Sequence, residues 1–159
     1  MREYSKVSPK LWRSPRFRSL ANEDARLLYL FVLTCEHQSS AGCFRLPDAY
    51  AAADLAWTSD RLHAARTHLV NADLLVHDAA TDEYFVPRWF RHNPPTNPKH
   101  RKGVERLISE VDSDEVRDAA ETEYSDHLTS KNLLDSPFEP LSNSGDRLTN
   151  TSYFKNGRA

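Results

Sequence analysis

Residues 58–87 read TSDRLHAARTHLVNADLLVHDAATDEYFVP, and this stretch decides the fold. Thr58 suits a helix N-cap, and within Ser59 to Asn71 the residues Leu62, Ala65, Leu69 and Val70 recur at the spacing of one helical face. Arg61, His63, Ala64, Thr67 and His68 fall outside that stripe. Asn71-Ala72-Asp73 ends the helix, Leu74 to Asp78 reads as a strand, Ala79 to Asp82 turns the chain, and Glu83 to Pro87 returns as a second strand. A helix followed at once by a short hairpin is the pattern to extend outward.

Upstream, Asn22 to His37 forms a broad apolar helical face from Leu27, Leu28, Leu30, Phe31, Leu33 and Thr34, with Glu23 and Asp24 in the first turn, where the helix dipole favours acids. Ser39 to Gly42 breaks the chain, and Cys43 to Leu46 reads as a short strand. Pro47 and Asp48 suit the first turn of another helix, running to about Leu55. The order helix, strand, helix, helix, hairpin predicts an α+β, mainly α, winged helix-turn-helix over residues 19–92, with Trp89 and Phe90 closing the core. A generic small α+β domain would share the same order.

The flanks differ in charge. Residues 1–18 form a basic arm, with Arg2, Lys6, Lys10, Arg13, Arg16 and Arg18 against the single acid Glu3, and with Tyr4, Leu11, Trp12 and Phe17 interleaved as anchors. Arg88 to Lys102 holds five Arg or Lys residues, two histidines and no acid. Its prolines Pro94, Pro95 and Pro98 predict an extended, rigid linker over 93–103. Residues 104–128 then carry nine acids against Arg106 and Arg117, and read as two helices broken near Ser113. Those acidic helices can cap the domain, form a protein-docking surface, or pack on the basic arm. Residues 129–159 are rich in Ser, Asn, Asp, Gly and Pro without apolar period, and read as a flexible polar tail.

Several classes drop out. Net charge is −2 and mean hydropathy −0.68, so a nucleic-acid surface has to be local, not global. No apolar run reaches the ~18 residues of a membrane span, and the start lacks the apolar core of a signal peptide. With Cys35 and Cys43 alone there is no disulfide framework, and a reducing cytoplasm is the expected compartment. Cys35, His37 and Cys43 lack a fourth zinc ligand, so no metal and no cofactor are expected. No P-loop, GxSxG or HExxH occurs, and the reading is a binding protein, not an enzyme. Asp48 and Asp54 read as helix-end groups, and His77, His92 and His100 as surface residues.

At residues 12–46, WRSPRFRSLANEDARLLYLFVLTCEHQSSAGCFRL, the chain resembles phage replisome-organiser proteins and their DnaD-type primosome relatives. The matching places are Trp12, Phe17, Leu20, Ala25 to Tyr29, Gly42 to Leu46 and Leu69 to Val76, and the WF…HNPP…NPK segment resembles the stretch after the wing in phage-encoded members. The resemblance covers about residues 1–128 and implies a winged helix acting in replication initiation through duplex contact and self-association. The family's second, C-terminal DNA-remodelling domain has no recognisable counterpart in these residues, so helicase loading is not implied.

The DNA-binding candidates are therefore Lys6, Lys10, Arg13, Arg16 and Arg18 on the arm, and Arg61, His63, Thr67 and His68 on the groove-facing helix. Arg88, Arg91, Lys99, Arg101 and Lys102 follow the hairpin. Expected partners are duplex DNA, a second copy of the chain, and a host replication or regulatory protein. A transcription regulator and a phage factor occupying a host complex are the rival readings.

Overall fold

The computed structural model describes residues 5–135. A 3-10 turn at Pro9–Arg13 leads into α1 (Pro15–Arg18) and α2 (Glu23–Thr34), then β1 (Cys43–Arg45), α3 (Asp48–Leu55) and α4 (Ser59–Asn71). The hairpin β2 (Val76–Asp78) and β3 (Glu83–Phe85) follows, then α5 (Trp89–His92), α6 (Pro98–Ser109) and α7 (Asp114–Asp135). The described chain is mainly helical, with one antiparallel sheet in the order β1-β3-β2. Phe44 and His77 flank Tyr84 across the middle strand, and all three residues of that strand are buried.

Local chemistry sets the element ends. Asn22 caps α2 by accepting from the Ala25 N–H, and Thr58 does the same for α4 at Arg61. Buried Gln38 donates to the Val32 carbonyl at 2.8 Å, satisfying the open end of α2. Gly42 has φ +76°, and a Cβ there would meet Trp89 Cγ at 2.4 Å. The loop thus admits only glycine at this point, and the Trp89 ring lies over it with its Nε1 donating to the Ser40 carbonyl.

Packing corrects several residue assignments. On α2 the buried side is Ala25, Leu28, Tyr29 and Val32, while Leu27 is 47% exposed. On α4 Val70 is exposed and Arg66 takes an inward place beside Leu62, Ala65 and Leu69, because a partly buried carboxylate on α3, Asp48, receives its charge. Of the arm's expected anchors, Phe17 is buried and Leu11 packs against the core, whereas Trp12 stays exposed and touches Phe17 edge-on; Leu20, just past the arm, is also buried. Tyr4 and Arg2 lie outside the described residues.

The segment expected as a linker over 93–103 is helical from Pro98 onward. Asn97 accepts from the His100 N–H at 2.8 Å and Pro98 occupies the first turn, where its missing donor costs nothing. The helix break near Ser113 falls as expected, but α7 continues through Asp135, beyond the boundary drawn at Leu128. No Gly or Pro interrupts the chain between Ser113 and Pro137, so nothing stops the helix earlier. The rest of the expected tail, 136–159, lies outside the described residues.

Of the three roles open to the acidic helices, α7 takes the first, packing on β1, β2 and β3. Two of the chain's carboxylates fix it. Glu83 on β3 accepts from the N–H groups of Asp112 and Ser113 at the start of α7, and Glu123 on α7 accepts from those of Arg88 and Phe90 at the start of α5. Val104, Ile108, Val116, Ala120 and Tyr124 complete the apolar seam, with the Phe90 and Tyr124 rings 5.0 Å apart. No helix among the described residues is long and apolar enough to cross a membrane.

Candidate nucleic-acid interface

The helix expected to face the groove has most of its polar side chains engaged within the molecule. Arg61 donates to both Asp24 oxygens at 2.8 and 2.6 Å, and its guanidinium lies 4.5 Å from the Trp57 ring centroid. His63 Nε2 is 2.6 Å from Asp48 Oδ2, and the Thr67 hydroxyl donates back to the His63 carbonyl. For Arg61, the candidate for a base edge, a carboxylate on α2 already fills the donor fork. His68 alone of the four makes no side-chain hydrogen bond or ion pair among the described residues.

Behind that face sits a polar network that sequence reasoning missed. Arg66 is 91% buried and donates to both oxygens of Asp48, and its Nη1 donates to the Tyr84 hydroxyl at 2.6 Å. Arg66 and His63 hold the Asp48 carboxyl well below the usual range, at about 2. Burial pushes Tyr84 up to about 12. His77, expected at the surface, is only half-buried, but its ring nitrogen is enclosed. Its ring packs 4.4 Å from Tyr84, its buried Nε2 lacks a hydrogen-bond partner, and burial with the neighbouring Arg66 lowers it to about 4. The one available signal was a helical Arg, 18 residues from both Asp48 and Tyr84. Nothing in the sequence marked it as inward-facing.

The cysteines are structural in placement. Cys43 is buried in β1 with its thiol pushed up to about 11 by burial, and Cys35 is the C-cap residue of α2. Among the described residues no three His, Cys, Asp or Glu side chains come together as a metal cluster.

Five of the expected DNA-binding cations do converge. Lys6, Lys10, Arg16, Arg88 and Arg91 line one cleft of about 310 Å³ between the N-terminal segment, α2 and α5, with His92 beside them and no carboxylate among the lining residues. Arg16 is held there by donating to the Ala72 and Asp73 carbonyls at the end of α4. The left-handed backbone of Arg88 (φ 68°) turns the chain from β3 into α5, and Glu123 fixes its N–H. Arg13 and Arg18 are exposed on the same segment but outside the cleft, while Lys99, Arg101 and Lys102 lie on the first turns of α6 and are not joined to it. None of these cations on the arm, α5 or the start of α6 forms an ion pair among the described residues.

Comparison with family models, curated proteins and solved structures returns no match to this chain.

Proposed function

We propose that the chain is a nucleic-acid-binding winged helix that grips the phosphate backbone through its N-terminal segment and α5, with little base readout. Within that class, its particular role is that of a replisome-organiser-like protein acting in replication initiation. The order α2, β1, α3, α4, β2, β3 and the strand order β1-β3-β2 support the winged-helix reading, with α4 in the place of the groove helix and the β2–β3 turn as the wing.

One observation carries the backbone-binding reading. Unpaired cations converge on the arm–α5 cleft without an acid, whereas Arg61 and His63 on α4 are already matched by Asp24 and Asp48. The wing bears Asp78 and Asp82, which face a phosphate chain poorly. Phosphate contacts position a protein on DNA but carry no sequence information.

Fluorescence anisotropy with random duplex across a salt series tests this. Binding is expected in the range of about 1–100 μM at physiological salt, with a steep negative slope. Lys10→Glu with Arg91→Glu should lower the slope by about 2, one phosphate each, while Arg61→Ala changes it little. No binding at low salt, or a larger effect from Arg61 than from the cleft pair, removes the reading. Occupancy at a replication origin, mapped by cross-linking in cells, tests the particular role, and occupancy confined to promoters refutes it.

A further inference from the structure

The cleft is more than a charged patch. Its rim is cationic, but its floor is made by Leu11, Phe17, Tyr29, Leu33, Leu74 and Val86. A concavity with an apolar floor and a few convergent polar groups is what small organic ligands use, and about 310 Å³ is at the small end of such sites. A duplex is a convex cylinder and meets only the rim. The floor needs something narrower.

Tyr29 gives the second observation. It is 92% buried, yet its hydroxyl has no hydrogen-bond partner among the described residues. Burial raises its pKa, the charges of Arg16 and Arg88 oppose that rise and the Glu123 carboxylate adds to it, so the phenol lies within electrostatic reach of two cleft guanidiniums and of one acid behind them. The hydroxyl is not sealed inside the fold, so it opens toward the cleft that the Tyr29 ring lines and can donate to an acceptor bound there. An anionic oxygen held between Arg16, Arg88 and Tyr29 supplies that acceptor.

We infer that the arm–α5 cleft binds a terminal phosphate carried on a nucleoside, with the phosphate among Arg16, Arg88, Arg91 and the Tyr29 hydroxyl and the base on the apolar floor. The chemistry is shared by a free nucleoside polyphosphate and by the 5′-phosphorylated end of a single strand. The choice of nucleoside rests on the nucleic-acid reading above, and the experiment keeps the two separable.

The full chain is titrated at low salt with adenosine triphosphate, with 5′-phosphorylated and 5′-hydroxyl oligothymidylate of one length, and with closed circular duplex, which has no end. The phosphorylated strand should bind about tenfold more tightly than the hydroxyl strand, and Tyr29→Phe should bring the two near parity. Arg91→Ala, at an exposed position, should do the same and guards against a folding defect in the first variant. Competition by the triphosphate without a 5′ preference assigns the cleft to free nucleotide, and a 5′ preference without competition assigns it to strand ends. Neither effect, with the circle still bound, overturns the cleft proposal and leaves backbone binding standing. Triphosphate bound and the circle ignored does the reverse.

Discussion

Replacing Asp48 by Ala tests what holds α3, α4 and the sheet in one arrangement. In the native chain Asp48 receives both terminal nitrogens of Arg66, whose side chain is only 11% exposed, and Arg66 also donates to Tyr84 on β3. Without the carboxylate the guanidinium keeps a phenol oxygen as acceptor and loses its counter-charge. Breaking a buried pair by removing one partner costs about 3–5 kcal/mol. Asp48 itself is 30% exposed, so water reaches the vacated place and the expected cost falls to about 2–4 kcal/mol. For a chain of this size that is about 6–12 °C in Tm. The assay is urea unfolding of Asp48→Ala, Arg66→Met and the double variant at neutral pH. Arg66→Met keeps the apolar stem and removes the charge, so it should cost less, and the double variant should recover part of the Asp48→Ala loss. A cost below about 1 kcal/mol for Asp48→Ala, or strict additivity in the double variant, refutes the assignment of this pair as a coupled buried unit.

Gly42→Ala should destabilise by about 3 kcal/mol or more, since the added Cβ meets the Trp89 ring and the backbone is left-handed; urea unfolding checks it. His77, lowered to about 4, is neutral in the fold but binds a proton in the unfolded chain below about pH 6.5. Its contribution is therefore complete above that pH and is lost as pH falls toward 4, and a Tm–pH profile should lose this slope in His77→Phe. Asp48, depressed to about 2, contributes in a lower window: its stabilisation is present above about pH 4 and disappears as pH falls through 2. Glu83→Ala removes the acceptor for two backbone N–H groups at the start of α7, and should cost about 2–3 kcal/mol and speed amide exchange in residues 111–116 ahead of the rest.

The helices and the hairpin were legible because their signals are local. Thr58 and Asn22 announce helix starts, and the strand pair around 79–82 is bounded by turn residues. What escaped was set by partners far away in sequence. Val70 looks like the natural apolar neighbour of Leu69, yet Arg66 is buried because Asp48 and Tyr84 meet it from other elements. Arg61 reads as a free groove residue until Asp24, 37 positions upstream, occupies it. Prolines at 94, 95 and 98 read as a stiff connector, but only the first two act so, since Asn97 turns Pro98 into a helix start. The arm's cations were visible one by one. Their convergence with Arg88 and Arg91 depends on the packing of Phe17 and Leu20 into the core, which brings residues 6–17 against α5.

That packing bears on how a nearly neutral chain contacts nucleic acid. The acids outnumber the Lys and Arg residues, 23 against 21, so long-range attraction has to come from segregation. Here the segregation has a structural cause. Acidic residues inside and outside the 104–128 block are spent on the fold itself: Glu83 and Glu123 bind backbone N–H groups, Asp48 neutralises Arg66, and Asp114 pairs with Arg117. Acids used this way lie on α7, α3 and β3, and none lines the arm–α5 cleft, although Glu123 stands behind it on the Arg88 N–H. The cations at that edge form no ion pair among the described residues. On the proposed function, carboxylates engaged by backbone N–H groups and by Arg66 and Arg117 are not available to pair with the cleft cations, so part of the charge separation follows from the contacts that hold the fold.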